Sequence, residues 1–286
     1  MSYRFSRKRS GILRAVAVVV VAAFALLAWM YHVATSDPVV RTATLSVNEL
    51  AAPVRLTLVS DIHVAGPDMP PSRVRRIVDQ INALHPDVII LAGDFVSDKK
   101  LSTHEYTVAE AIAPLAALKA RLGVIAVLGN HDHWRNADET RRQLGRVAIR
   151  VLDNDAARVG PLTIMGVDDP FTDNDNLTTA MAHARLMPEP RILVSHSPDI
   201  FPKVSADIPL TLAGHTHCGQ IRLPLIGALS TMSEYGERYA CGRINERGRT
   251  LIVSAGLGTS LLPLRFGAVP DLWVIDMRPA EAGGRD

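Results

Sequence analysis

The sequence predicts an α/β fold preceded by one transmembrane helix at its N-terminus. Short apolar runs with the length of buried strands alternate with helix-like segments in the first half of the chain. No internal repeat or low-complexity linker divides residues 44–278, which predicts a single domain. One apolar run near the N-terminus is much longer than any strand and predicts a membrane span.

The N-terminal apolar run is long enough to cross a bilayer as a helix. Every residue from Ala15 to Tyr31 is apolar or aromatic. With Ile12 and Leu13 the run reaches the roughly 20 residues that a membrane-spanning helix needs. We place the anchor at residues 12–34, between a basic tip at 1–11 and a linker at 35–47. A cleaved signal peptide is the alternative, although its apolar region is usually shorter.

Five basic side chains and no acidic ones lie in residues 1–14 and predict the orientation of this helix. Removing these five from the 31 Lys and Arg leaves 26 against 29 Asp and Glu, a net charge of −3 for the remaining chain. General binding of nucleic acid is therefore not expected. The positive-inside rule keeps the N-terminus in the cytoplasm. The prediction is a single-pass protein of the cell membrane with its main domain outside the cytoplasm.

That main domain is expected at residues 48–278, followed by a tail at 279–286, and seven apolar runs in it are predicted to be buried strands. They are Val54–Ser60, Asp87–Ala92, Gly123–Leu128, Arg191–Ser195, Leu210–Ala213, Thr250–Ser254 and Leu272–Asp276. Ser72–Leu84 is predicted to be a helix because it follows prolines and carries apolar residues at helical spacing. Thr103–Leu122 is a second predicted helix, broken or kinked at Pro114. Residues after about 205 are richer in turns, which predicts a more antiparallel second half.

Five of these strands are followed immediately by side chains of the types that bind metals. Strand ends in α/β sheets converge on the ligand crevice, so these side chains are expected to meet. Buried carboxylates and imidazoles need partners, and core packing alone explains such a set poorly. The groups, in chain order, are Asp61 and His63; Asp94; Asn130, His131, Asp132 and His133; His196; and His215 and His217.

The types of ligand in this set narrow the chemistry. Carboxylate, imidazole and amide ligands without a thiolate suit Mn²⁺, Fe²⁺ or Zn²⁺. The ligands are too many for one four-coordinate ion, which predicts two divalent metal ions that share a carboxylate. Two such ions can clamp a phosphoryl group and activate a water molecule. Gly93, Gly129 and Gly214 stand beside the ligands and allow the backbone to approach closely.

The same five blocks resemble the calcineurin-like metallophosphoesterase superfamily. Its blocks occur here in order as Asp61-x-His63, Gly93-Asp94, Gly129-Asn130-His131-Asp132, His196 and Gly214-His215-Thr216-His217. Residues 219–224 and 256–260 are similar to its membrane-associated bacterial branch. The resemblance implies a four-layer α/β/β/α sandwich of two mixed sheets flanked by helices.

The resemblance also implies how the ligands divide between two metals. The first metal would be held by Asp61, His63 and His217. The second would be held by Asn130, His196 and His215, and Asp94 would bridge the two.

Beyond the ligands, the resemblance implies a role for His131, and the residue types suggest roles for others. His131 would face the substrate as general acid or transition-state stabiliser, which suits a group whose ordinary pKa lies near neutrality. Asp132 could orient that imidazole or could be an ordinary turn residue, and His133 receives no role. Arg265 could bind a substrate phosphate, with a surface arginine as the alternative.

Residues 166–170 and two cysteines complete the set of candidates. Asp168 and Asp169 are expected in a loop near the site, without an assigned role. Cys218 stands where the bacterial branch usually has glycine. It could form a disulfide with Cys241 or be no more than a small side chain, and a metal–thiolate bond is the weaker third reading because the ligand set is already complete.

The expected function is a phosphoesterase that uses two divalent metals to hydrolyse phosphodiester or pyrophosphate bonds. A metal-bridging hydroxide would attack phosphorus while His131 assists the leaving oxygen. The membrane anchor places the site beside lipid head groups, so the phosphate-ester substrate could be lipid-linked. A phosphomonoesterase and a non-catalytic metal-binding ectodomain are the alternatives. A transporter is not expected, because the chain has one hydrophobic span.

Overall fold

Two six-stranded sheets pack face to face in the computed structural model, which describes residues 2–99 and 101–280, with side chains from residue 11 onward. The α-helices are α1 (Ser2–Thr35), α2 (Pro71–Ala83), α3 (Val108–Ile112), α4 (Asn130–Arg146) and α5 (Leu177–Arg185). The strands are β1 (Val39–Val47), β2 (Val54–Val59), β3 (Ala65–Gly66), β4 (Val88–Ala92), β5 (His104–Glu105), β6 (Val124–Val127), β7 (Arg150–Val151), β8 (Asp155–Val159), β9 (Leu162–Val167), β10 (Arg191–Ser195), β11 (Leu210–Ala213), β12 (Arg222–Leu223), β13 (Gly227–Ala228), β14 (Gly242–Glu246), β15 (Arg249–Val253) and β16 (Asp271–Pro279).

Both large sheets are mixed. The first has the order β1-β16-β2-β4-β6-β7, in which β2, β4, β6 and β7 run parallel and β16 is antiparallel to β2. The second has the order β14-β15-β11-β10-β9-β8, parallel in its middle and antiparallel at both edges. The predicted four-layer sandwich is therefore confirmed. Antiparallel pairing, predicted to be more frequent after about residue 205, occurs there in β12–β13, β14–β15 and β16–β2, whereas β11 pairs in parallel with both neighbours.

Apolar side chains from both sheets fill the space between them. Leu56 and Ile90 of the first sheet belong to the same buried cluster as Ile164 and Leu212 of the second. Helix α2 packs on the outer face of the first sheet through the spaced apolar residues that the sequence predicts. Helix α5 covers the outer face of the second sheet. These layers hold the strand ends of the two sheets side by side.

Two sequence-based boundaries change in the structure. Residues 39–47, predicted as linker, form the edge strand β1, which pairs in parallel with β16 over its whole length. Ala43, Leu45 and Val47 are buried while the residues between them are exposed, so a short alternating pattern was mistaken for an irregular segment. The helix predicted over residues 103–122 is reduced to α3 and a 3₁₀ turn at Ala113–Ala117 that contains Pro114. Of the predicted tail, residues 281–286 lie outside the described residues.

Helix α1 is long and apolar enough to span a membrane, and its end is docked on the domain. Its apolar part is Gly11–Thr35. Met30 and Ala34 are buried against the domain. The backbone N–H of Arg265 donates to the Met30 carbonyl at 3.1 Å, and the rings of Trp29 and Phe266 meet edge to face. The anchor and the domain are therefore in direct contact.

Candidate metal centre

Seven side chains from five strand ends meet where the carboxyl edges of the two sheets face each other. Strands β2, β4 and β6 are neighbours in the first sheet, and β10 and β11 are neighbours in the second. All seven residues are at most 5% exposed. They are Asp61 and His63 after β2, Asp94 after β4, Asn130 after β6, His196 after β10, and His215 and His217 after β11.

One half of this cluster contains Asp61, His63 and His217, with Asp94 at its edge. The Nε2 atoms of His63 and His217 are 3.1 Å apart. Asp61 Oδ1 lies 3.5 Å from His217 Nε2, and Asp94 Oδ2 lies 3.3 Å from His63 Nε2. Asp61, His63 and His217 thus offer three atoms within reach of one ion.

The other half contains Asn130, His196 and His215, again with Asp94 at its edge. His196 Nε2 lies 3.1 Å from Asn130 Oδ1 and 3.2 Å from His215 Nδ1. The same Asp94 Oδ2 atom lies 3.1 Å from His196 Nε2. Asp94 is therefore the carboxylate common to both halves.

The hydrogen bonds around the second half show that these side chains fit a metal ion. His196 Nδ1 is 2.7 Å from the Ala92 carbonyl, and His215 Nε2 is 3.1 Å from the Met232 carbonyl. A ring nitrogen that faces a carbonyl carries the proton. When both rings are neutral, His196 Nε2 and His215 Nδ1 therefore direct lone pairs toward each other. A cation relieves this opposition, and such second partners typically orient metal-binding histidines.

The charges of the centre also call for cations. Asp61 and Asp94 are buried, and in the described part of the chain their ion pairs are with histidine. Burial raises the pKa of Asp61 to about 6. Burial lowers the pKa of His215 to about 3 and that of His63 and His217 well below the usual value, which keeps these rings in the neutral, metal-binding form.

The backbone of the centre is held in an unusual conformation. Asp61, His63, Asp94, His215 and His217 all have positive φ angles, between 49° and 71°. Such angles cost free energy for residues with a side chain and concentrate at functional sites. Gly129 shows how close the packing is, since a Cβ atom there would lie 2.3 Å from Asp94 Oδ1. The close backbone approach expected at this glycine is therefore present.

His131 stands beside the ligands, and Asp98 contacts it. His131 is 7% exposed, and its backbone N–H donates to Asp94 Oδ1 at 2.9 Å. Its Nδ1 is hydrogen-bonded to Asp98 Oδ1, which directs Nε2 away from that carboxylate. Asp98 is not among the residues that the sequence motifs predict for the site. Its position four residues after Asp94, in the same loop, was the available signal.

The two residues after His131 have structural partners. The Asp132 carboxylate accepts backbone N–H bonds from Asp94, Phe95, Val96 and Gly129, so it fixes the ligand-bearing loops and is not the group that orients His131. His133 Nε2 bonds Asp168 Oδ1 at 2.8 Å, which ties α4 to the loop after β9.

Arg265 makes contacts that differ from the expected phosphate contact. Its side chain is fully buried. Nη2 donates to the carbonyls of Ala255, Gly256 and Gly258 at 2.8, 3.1 and 2.5 Å, and it lies 3.4 Å from His217 Nδ1. These bonds make Arg265 a support for the loop behind His217 and correct both expectations, substrate ligand and surface arginine.

Cys218 and Cys241 form a disulfide. This bond decides among the three readings of Cys218, because a sulfur in a disulfide is not a thiolate ligand. It joins the residue after His217 to the start of β14, so the loop that carries two candidate ligands is covalently fixed to the second sheet.

A groove of about 290 Å³ opens over the metal centre. Its polar end consists of Asp94, Asn130, His131, His215 and His217. The apolar part of its lining consists of Ile221, Leu229, Leu261, Leu262, Trp134 and Met232, whose carbonyl bonds His215. The described residues that line the groove include neither lysine nor arginine.

Known families and proteins match this chain along most of its length. The family model described as calcineurin-like phosphoesterase matches residues 54–219, which contain all seven candidate ligands. The uncharacterized metallophosphoesterase YkuE of Bacillus subtilis is 29% identical over 72% of this chain and 72% of its own length. An uncharacterized metallophosphoesterase of Helicobacter pylori is 26% identical over 87% of this chain and 66% of its own length.

Two further matches concern a membrane protein and a solved structure. A transmembrane protein with metallophosphoesterase domain from Danio rerio is 29% identical over 79% of this chain, which spans 54% of that protein. The crystal structure of a 5′-nucleotidase precursor from Thermus thermophilus aligns with a TM-score of 0.44 and 13% identity, over 79% of this chain and 54% of its own.

Proposed function

The chain belongs to the calcineurin-like phosphoesterase family, and from this premise we propose that it is a membrane-anchored, two-metal phosphodiesterase or pyrophosphatase. One observation carries the proposal: the same oxygen of Asp94 lies 3.3 Å from His63 Nε2 and 3.1 Å from His196 Nε2. A carboxylate in that position can serve two ions at once. Asp61, His63 and His217 would complete the first site, and Asn130, His196 and His215 the second.

Divalent ions in these sites, such as Mn²⁺, Fe²⁺ or Zn²⁺, would polarise the phosphoryl oxygens and supply a water molecule of lowered pKa. The chain itself provides the proton for the leaving oxygen. Asp98 holds the Nδ1 side of His131, so Nε2 is the atom of that ring left to face a substrate in the groove. A proton on Nε2 can pass to the oxygen that departs from phosphorus.

The shape and charge of the groove support a diester over a monoester. A phosphomonoester carries up to two negative charges and no second substituent, so its binding sites commonly use arginine or lysine. The described lining of this groove has no such residue. A diester has a second substituent and a single negative charge on its phosphate, and the apolar part of the groove lining offers contacts for that substituent.

The charge distribution and the disulfide support an extracytoplasmic position for the catalytic domain. The basic residues that precede the apolar run in the sequence favour a cytoplasmic N-terminus. A disulfide such as Cys218–Cys241 persists in oxidising compartments and is rare in the cytosol. Both favour a metal centre on the outer side of the cell membrane, where a lipid-linked phosphate ester would be within reach.

The proposal is tested with the full chain, purified in detergent and loaded with Mn²⁺. We expect hydrolysis of bis(p-nitrophenyl) phosphate to exceed that of p-nitrophenyl phosphate, and His131→Ala to lower the turnover of the diester. His183→Ala is the matched control, because His183 pairs with Asp155 at the surface. A preference for the monoester would favour a phosphomonoesterase. Metal binding without turnover of either would favour a non-catalytic ectodomain.

A further inference from the structure

Exposed leucine and isoleucine side chains lie in the two segments that carry most of the apolar lining of the groove. Leu225 and Ile226 lie at the tip of the β12–β13 hairpin, and Leu261 and Leu262 lie in the loop after β15. Their exposed fractions are 108%, 72%, 72% and 37%. Single exposed leucines are ordinary on protein surfaces, but a group of four beside a groove marks an interaction site. We call these four residues the apolar rim.

The hairpin tip is poorly explained as a turn in water. Leu225 has a φ angle of 66°, in the left-handed region that turns usually give to glycine or asparagine. Here the residue is a leucine whose side chain is fully exposed. Turn geometry alone therefore disfavours leucine at this position, and so does contact with water. An apolar environment at the tip would explain the choice.

The two segments of the rim are held together as one surface. The Gln220 side chain donates to the carbonyls of Leu262 and Leu264 at 3.0 and 3.1 Å, and its Oε1 accepts the Ser260 N–H at 3.0 Å. The backbone of Phe266 bonds the first arm of the hairpin twice: its N–H donates to the Gln220 carbonyl, and its carbonyl accepts the Arg222 N–H. The hairpin and the loop therefore share a fixed relative position.

The same loop contacts the membrane helix directly. Arg265 donates its backbone N–H to Met30, and Phe266 packs on Trp29. Trp29 lies six residues before the end of α1, at the level where an aromatic ring favours the boundary between acyl chains and head groups. The contact with the helix begins at Arg265, in the same loop and directly after the rim. The rim is thus next to the helix where the helix leaves the bilayer.

From this continuity we propose that the apolar rim enters the outer part of the leaflet from which α1 emerges, so that the groove opens into the lipid. Leucine and isoleucine side chains at this depth exchange water for acyl chains. The partner is a phospholipid bilayer, and Leu261 and Leu262 belong both to the rim and to the lining of the groove that contains the candidate ligands. On the proposed function, a lipid-linked phosphodiester can then reach the metals from the membrane without crossing water.

The test measures the depth of the rim with the full chain in nanodiscs of phosphatidylcholine whose acyl chains carry bromine, which quenches nearby tryptophan. Ile226→Trp places a reporter on the rim. Leu186→Trp is the matched control: Leu186 is 86% exposed and lies just before β10, at the sheet edge opposite the metal centre. The three native tryptophans are accounted for by subtracting the signal of the unmodified chain.

We expect strong quenching of Ile226→Trp and none for Leu186→Trp. Leu261→Trp is a second reporter if the first variant does not fold. Equal quenching at positions 226, 261 and 186 would overturn the proposal and favour a protein partner for the rim.

This readout is independent of catalysis. Ile226 does not line the groove, so Ile226→Trp should hydrolyse bis(p-nitrophenyl) phosphate at the wild-type rate. Absence of turnover in the wild type together with rim quenching would reject the proposed function and retain the membrane contact. Turnover by the wild type without quenching at the rim would retain the proposed function and reject the membrane contact.

Discussion

The polar end of the groove, which contains the candidate ligands, and the apolar part of its lining are built in opposite ways. Polar side chains directly follow the strands of two packed sheets, are almost completely buried and, in most cases, have left-handed backbone angles. Apolar side chains come from a short hairpin and a loop, and several are exposed. The strand ends hold the first set within hydrogen-bond distance of one another, whereas the second set lies on a hairpin and a loop at the surface. We therefore expect metal binding to depend on the sandwich and the choice of substrate to depend on the loops.

The largest expected effect comes from the carboxylate common to both halves of the polar end. Asp94→Asn keeps the size of the side chain but removes the charge that would pair with two metals. We expect loss of bound divalent metal, measured by elemental analysis, and a fall in diester hydrolysis of at least about a thousandfold. Asp173→Asn is the matched control, because the Asp173 side chain lies in the turn after β9 and outside the cluster of ligands. Full metal content in Asp94→Asn would contradict the bridging assignment.

The second-largest expected effect separates the positioning of His131 from metal binding in the polar end. Asp98→Asn should lower kcat by about ten- to a hundredfold, since Asp98 holds His131 and has no contact with the ligands described above. Metal content should stay at the wild-type level. If Asp98→Asn lost bound metal as well as activity, Asp98 would support the whole metal centre and not only the position of His131.

A pair of glycine substitutions tests how tightly the polar end is packed. Gly129→Ala would place a Cβ atom 2.3 Å from Asp94 Oδ1, and we expect a destabilisation of about 1–3 kcal/mol with weaker metal binding. Gly145→Ala in α4 meets no atom within 4 Å and should instead stabilise the protein by about 0.5–1 kcal/mol. Thermal unfolding and metal titration check both. Similar results for the two variants would argue against close packing at the centre.

The smallest effect concerns the His133–Asp168 pair, which joins α4 to the second sheet outside the metal centre. The hydrogen bond to Asp168 raises the pKa of His133 above its unfolded value. The stability from this pair is therefore fully present below about pH 6.5 and is lost as the pH rises through the folded pKa.

His133→Gln should accordingly cost less than about 1 kcal/mol near pH 6, and less still at pH 9, because the site is partly solvated. Denaturant unfolding at the two pH values measures the difference. His183→Gln, at a more exposed pair, is the control. A cost of His133→Gln that is larger at pH 9 than at pH 6 would contradict a raised pKa of His133 in the folded protein.

The sequence by itself determined the α/β class, the apolar helix and the candidate ligands. Buried strands appear as apolar runs, and the residue types that follow them are visible without a structure. A resemblance to a known family then implied the sandwich. Strand β1 was missed because its alternating pattern is short and lies at a sheet edge, where one face is exposed.

Tertiary structure alone decided which partners each buried group has. Arg265 was expected at a phosphate but supports three carbonyls, and Asp98 contacts His131 although no motif predicted it. The Cys218–Cys241 bond and the contact between α1 and the rim-bearing loop likewise join residues far apart in the chain. The physical reason is that the local sequence pattern indicates whether a side chain is buried, but it does not indicate its contacts. The hydrogen-bond partner of a buried polar side chain usually lies on another strand or loop, whose position depends on the whole fold.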